Sequence, residues 1–243
     1  YSMEEAILRL GELEKNDISI ISSGGTFQAL QKAGIKAQRV SDLTQFPEIL
    51  DGRVKTLHPN IFGGILAKRK ADHLKQLKEQ NINLMDLVIV NLYPFESTVS
   101  QPDCTIDKAI EQIDIGGPSL IRAAAKNFNH VTVITSPDQY QTLIEELKQN
   151  DGCTSLEFRH ECAIMAFRLV SRYNTLISEY LENQHTNASI FPVDYTFQGK
   201  KIQDLRYGEN PHQKAAFYSC SVNNPLNNYD KLHGKELSYN NIL

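Results

Sequence analysis

Apolar residues in the opening segment, Ala6, Ile7, Leu10 and Leu13 between Met3 and Lys15, recur at near-helical spacing. The run Asp17-Ile18-Ser19-Ile20-Ile21 then reads as a short buried strand. The alternation continues with a helix over 26–32, a strand near 37–40, a helix over 72–80 and a strong strand at 86–91. Helices at 106–113 and 118–127, a strand at 131–134, and helices at 137–149 and 155–181 complete the pattern. Strands that alternate with helices, and that are apolar along their whole length, predict an α/β fold: a doubly wound parallel sheet with helices on both faces. After Leu181 the periodicity stops, and Glu182 to Lys200 is polar, with Asn187, Ser189, Pro192 and Gly199 as turn formers. A domain boundary is expected near 185–200. The remaining stretch of about forty residues, 202–243, is at the size below which a lone domain rarely supports itself, so it reads as the start of something larger.

Composition narrows the class. A hydrophobic fraction of 41% with 22% charged residues is globular and argues against disorder. The formal charge of -4, without a long basic run, argues against nucleic acid as the main partner. The longest strongly apolar stretch, 87–92, is far short of the roughly 20 residues a bilayer span needs, so no membrane crossing is expected. Cys104, Cys153, Cys162 and Cys220 are scattered without CxxC spacing, which fits free thiols in the cytoplasm and offers no metal-ligand cluster.

Four stretches could carry chemistry. Ser22-Ser23-Gly24-Gly25-Thr26 follows a strand and opens a helix, where small residues expose backbone amides at a positive helix end suited to a phosphate monoester. A tight turn with Thr26 as N-cap is the structural alternative. In Asp51-Gly52-Arg53-Val54-Lys55-Thr56-Leu57-His58-Pro59, followed by Gly63-Gly64, two cations flank one apolar residue, as suits a loop that holds an anion; His58 alone reads as a structural histidine. Val88 to Phe95 is a strand ending in Asn91, Leu92, Tyr93 and Pro94, and ligands of open α/β sheets sit beyond such carboxyl ends. Asp114-Ile115-Gly116-Gly117-Pro118 places Pro118 at the first helical position, so that Gly116 and Gly117 present amides just ahead of the helix. The helix continues to Lys126, eight residues on, about 12 Å at 1.5 Å per residue, and that lysine also fits an ordinary solvated helix charge.

In this order and spacing, GRVKTLHP, NLYPF, DIGGP, AAAKN and LRYGENPHQ resemble the inosine monophosphate (IMP) cyclohydrolase half of the bifunctional purine-biosynthesis family that also carries AICAR transformylase. The resemblance runs from Ser22 to about Leu181 and again at 205–213 and 234–241, nearly the whole chain. It implies a methylglyoxal-synthase-like domain over 1–190 and the first part of a transformylase domain over 200–243. The implied reaction is closure of the purine ring, 5-formamidoimidazole-4-carboxamide ribotide to IMP with loss of water. By position, Ser23, Gly24, Gly25 and Thr26 are expected at the 5′-phosphate, and Arg53, Val54, Thr56, Asn91, Leu92, Ile115, Gly116 and Gly117 at the nucleotide. Lys126, Asp114, Tyr93 and Lys55 are the expected catalytic groups, and Arg206 and Tyr207 match contacts to the transformylase substrate.

Further expectations come with the resemblance. No metal or cofactor is expected for ring closure; 10-formyltetrahydrofolate belongs to the transformylase reaction, whose catalytic Lys-His pair is expected beyond Leu243. A first strand ending in a Ser-Asp-Lys phosphate contact is expected to precede Tyr1, and the full-length parent is expected to be a homodimer. The alternatives are a phosphate- or nucleotide-binding regulatory module without turnover, and a methylglyoxal synthase-like phosphate elimination.

Overall fold

The computed structural model describes Gly11, residues 18–184, Thr196, and residues 198–219 and 233–242. The chain forms two compact units, Tyr1–His185 and Thr186–Leu243. The helix expected over 3–15 lies outside the described residues apart from Gly11.

In the first unit, β1 (Ile21–Ser22) leads into α1 (Gly24–Lys32), followed by β2 (Gln38–Arg39) and α2 (Val40–Thr44). Next come α3 (Pro59–Leu66), α4 (Ala71–Glu79), β3 (Leu87–Ile89), α5 (Phe95–Val99), α6 (Ile106–Glu111) and α7 (Gly116–Lys126). The unit ends with β4 (Thr132–Ile134), α8 (Tyr140–Gln149) and the 29-residue α9 (Leu156–Gln184). All described strand pairing here is parallel, β1 with β2 and β3 with β4, in register Val88 to Val133 and Ile21 to Gln38. The α/β class expected from the alternating pattern is therefore present. Among the described residues the four strands form two separate pairs rather than one continuous sheet.

The core explains why these segments read as they do. Thr132, Val133 and Ile134 are all buried, and because strand side chains alternate between faces, both faces of β4 are covered. One hydrophobic cluster joins Val88 and Val133 to Ile61 and Ile65 of α3, Ile121, Ala124 and Ala125 of α7, and Cys162, Ala166 and Val170 of α9. The alanines let α7 and α9 approach closely, and Ala124 and Ala166 have no exposed surface. Burial also raises the Cys162 thiol to about 12, aided by the negative charges of Glu161 and Glu146.

Two expectations about glycine are corrected. Gly63 and Gly64 lie within α3 rather than in a ligand loop. A Cβ on Gly64 would stand 2.4 Å from the Asn83 carbonyl oxygen, so this glycine lets the chain before β3 pack on the helix. Gly116 and Gly117 form the first turn of α7 itself, because the Asp114 carboxylate accepts the Gly117 N–H at 2.8 Å and so caps the helix ahead of Pro118. The second unit holds an antiparallel pair, β5 (Lys200–Leu205) and β6 (Ala215–Ser219).

Candidate active site

The site is built where β1 and β3 end and where α1 and α7 begin. Ser23 is extended at the N-cap of α1 without a side-chain cap bond, and Gly24 follows with φ of 54°, a left-handed conformation that glycine adopts at little cost. The first turn of α1 is formed by half-buried Gly24 and exposed Gly25 and Thr26. Thr26, an expected N-cap, is therefore the third residue of the helix, with Ser23 at the N-cap. Beyond its chain neighbours and its own helix backbone, no atom lies within 4 Å of the place a Gly25 Cβ would take, leaving open space beside the amides. An added Cβ on Gly24 would lie 3.8 Å from Lys55 Nζ, so the lysine ammonium stands beside this turn.

The 51–58 stretch turns sharply, with Asp51 at φ 52° and Gly52 at φ 87°. Its two cations have different surroundings. Arg53 is exposed and ion-paired with Glu111 of α6, whereas half-buried Lys55 faces Gly24. Val54 pairs with Ile49 in an isolated bridge that closes the loop. His58 caps α3, its Nδ1 accepting the Asn60 N–H at 3.1 Å, which is the structural role read for it.

Thr56 extends the constellation to α7: a Cβ on Gly116 would lie 2.9 Å from Thr56 Oγ1. A Cβ on Gly117 would lie 2.3 Å from Asp114 Oδ2 and 2.9 Å from Leu92 Cδ2. Asp114 and Leu92 therefore close on the start of α7 from two sides. Beyond Leu92, Tyr93 is 51% exposed, and Asn91 donates from Nδ2 to the Tyr140 hydroxyl at 3.0 Å. Ile115, at 60% exposed, points an apolar side chain outward next to these polar groups. Four sequence segments thus meet in an unbroken chain of close approaches, from Gly24 through Lys55, Thr56, Gly116 and Asp114 to Leu92.

Lys126 stands apart. It is exposed and ends α7, about 15 Å along the axis from Gly116, at the end that leads to the start of β4. Its neighbour Asn127 is buried and donates to the carbonyls of Ile65 and Ala67 at 2.7 and 3.0 Å, fixing that end of the helix. In the second unit, the Arg206 guanidinium lies 5.2 Å over the Tyr207 ring, and the backbone of both residues pairs with Leu237 and Tyr239.

Sequence reasoning missed the residues behind the site. Tyr140 and Tyr173 lie within helical apolar patterns and carry no signal beyond that of core positions. Their hydroxyls nevertheless reach site loops, Tyr140 to Asn91 and Tyr173 to Asp114. Burial raises both phenols above the usual tyrosine range. Among the described residues no group of three His, Cys, Asp or Glu side chains could hold a metal, and no helix is long and apolar enough to cross a membrane.

Comparison with known proteins places this geometry. The model of the MGS-like domain matches residues 6–119, and that of the AICARFT/IMPCHase bienzyme matches 124–243. The bifunctional purine biosynthesis protein PurH of Halalkalibacterium halodurans is 51% identical over 95% of this chain, and that of Trichodesmium erythraeum 50% identical over 93%. In both cases the chain spans 45% of the relative's length. The crystal structure of ForH superposes with a TM-score of 0.61 at 36% identity, covering 71% of this chain and 89% of that one. With two family models divided along it and about half of its residues shared with PurH proteins across nearly its whole length, the chain belongs to the PurH-like family of bifunctional purine biosynthesis proteins, AICAR transformylase/IMP cyclohydrolase.

Proposed function

We infer that the first unit of this chain is an IMP cyclohydrolase, closing 5-formamidoimidazole-4-carboxamide ribotide to IMP with loss of water. The observation that carries the reading is the convergence of Gly24, Lys55, Thr56, Gly116, Asp114 and Leu92 at one helix-flanked site. The PurH relatives and the MGS-like match support it.

In this reading the 5′-phosphate rests on the open amides of Ser23 to Thr26, with the Lys55 ammonium beside them neutralising its charge. Arg53, Val54, Thr56, Asn91, Leu92, Ile115, Gly116 and Gly117 surround the ribose and base. The reaction is intramolecular: the carboxamide nitrogen attacks the formyl carbon, a C–N bond forms, and the formyl oxygen leaves as water after taking two protons. Fixing the two ends of the nucleotide supplies much of the acceleration, because the reacting groups are held at near-attack distance. The oxyanion that develops on the formyl oxygen calls for a fixed donor, a role for the first-turn amides of α7, while Lys55, expected among the catalytic groups, serves the phosphate in this reading. Asp114, whose carboxylate already accepts the Gly117 amide, and exposed Tyr93 are placed to exchange protons with the nitrogen and the departing hydroxyl.

Lys126 enters as a proton-transfer group on the family resemblance alone; from the far end of α7 it meets the same ligand only if that ligand spans the roughly 15 Å between the helix ends. Arg206 and Tyr207 are assigned to the transformylase substrate on the same ground, and 10-formyltetrahydrofolate takes part in no step of ring closure. A homodimeric full-length parent and a cytoplasmic location belong to the same proposal. Incubation of the chain with the formamido nucleotide, followed by the ultraviolet change of ring closure, tests it. IMP binding without turnover would instead make the unit a nucleotide-binding module, and methylglyoxal production from dihydroxyacetone phosphate would make it an eliminating enzyme.

A further inference from the structure

The geometry points to Tyr173 of α9 as a positioning residue that sets the Asp114 carboxylate for ring closure; the assignment rests on the cyclohydrolase reading above. Tyr173 is 5% exposed, yet its hydroxyl is fully used. It accepts the Asp114 N–H at 2.7 Å and donates to the Gln112 carbonyl at 3.1 Å, so one phenol oxygen clamps the backbone on both sides of Ile113. Two residues on, the Asp114 carboxylate caps α7 through Gly117. The backbone dihedrals of Asp114 therefore have two anchors, one from α9 and one from α7.

The ring of Tyr173 holds the second loop of the site. It packs edge-to-face on Phe95, centroids 6.2 Å apart, in a small core that also takes in Leu92 and Ile113. The neighbouring Arg172 pairs with both oxygens of Glu96 at 3.1 Å. Adjacent residues of one long helix thus grip the segment carrying Tyr93 and the segment carrying Asp114, the two proposed proton-exchanging groups. A merely structural tyrosine needs its ring buried and one partner for its hydroxyl; here both hydroxyl bonds go to the same catalytic loop. Misplacing a reacting group by about an ångström costs on the order of 100-fold in rate, so partial loosening of one of two anchors should cost about 10-fold or more.

The test is Tyr173→Phe, which keeps the ring and removes the hydroxyl, beside Val170→Ala, which thins the same helix in the main core without touching the 112–114 loop. Expected for Tyr173→Phe are a kcat at least 10-fold lower, KM changed less than three-fold, and faster hydrogen exchange of the Asp114 amide by NMR. Val170→Ala should lower Tm while leaving kcat and that amide alone. The assignment is overturned if Tyr173→Phe keeps wild-type kcat, or loses no more than Val170→Ala does. If the wild-type chain itself fails to turn over, the cyclohydrolase reading of this chain falls instead, and Tyr173 is then judged on exchange alone: an Asp114 amide as protected in Tyr173→Phe as in wild type overturns the clamp.

Discussion

Replacing Gly117 by alanine should separate catalysis from stability. A Cβ there would stand 2.3 Å from Asp114 Oδ2 and 3.0 Å from its Cγ, about 1 Å inside ordinary contact, with Leu92 Cδ2 at 2.9 Å on the other side. The helix backbone cannot yield without breaking its own bonds, so the carboxylate must swing away. The Gly117 N–H then loses a charged acceptor, worth roughly 1.5–3 kcal/mol. Alanine within a helix returns about 1 kcal/mol relative to glycine. The difference is a net destabilisation of roughly 0.5–2 kcal/mol, which for a unit of this size lowers Tm by no more than about 8 °C. The displacement of Asp114 has a larger effect on rate, on the order of 100-fold. Ring closure followed by ultraviolet absorbance, with calorimetry on the same samples, reads both quantities. Turnover within three-fold of wild type alongside a lowered Tm would refute the placement of Asp114 in the chemistry.

Other outcomes follow from the same structure. Gly25→Val should weaken IMP binding at least 10-fold by titration calorimetry while Tm moves by only a few degrees, because its side chain enters the open space that the proposed function assigns to the phosphate; unchanged affinity would move the phosphate elsewhere. Lys126→Ala should remove most turnover and leave IMP affinity within a few-fold if it transfers a proton; full activity would make it a solvated helix lysine, and an equal fall in affinity an electrostatic anchor. Native Cys162 should resist a thiol reagent at pH 8 that titrates exposed Cys153 at once, since a thiol near 12 presents almost no thiolate. The folded thiol lies above its ordinary value of 9.0, so the stability linked to its proton is present below pH 9 and is lost as pH rises toward 12; alkaline melting that is flat across this window in a comparison with Cys162→Ala would contradict it.

Periodicity determined the types of the elements with a clear apolar repeat. The apolar runs at 87–90 and 131–134 became β3 and β4 because continuous apolar residues, fully buried in β4 and buried or half-buried in β3, leave no polar alternation to misread. Short helices were illegible: Val40–Thr44 and Phe95–Val99 span little more than one turn each and carry too few apolar positions to show a 3.6-residue repeat. The identity of the site segments was also local, since glycines, an Asn after a strand and an Asp before a helix announce turns and caps. What each residue touches was not local. Of two similar cations two positions apart, only tertiary structure sent Arg53 to Glu111 and Lys55 to the Gly24 turn. The start of α7 fell two residues ahead of Pro118 because a side chain, Asp114, supplied a cap that propensity does not weigh. Tyr140 and Tyr173 are ordinary core tyrosines in the sequence. Only the packing of α8 and α9 behind the loops brings their hydroxyls to Asn91 and Asp114, because a hydrogen bond across 49 or 59 residues depends on where whole helices sit and leaves no trace in local spacing.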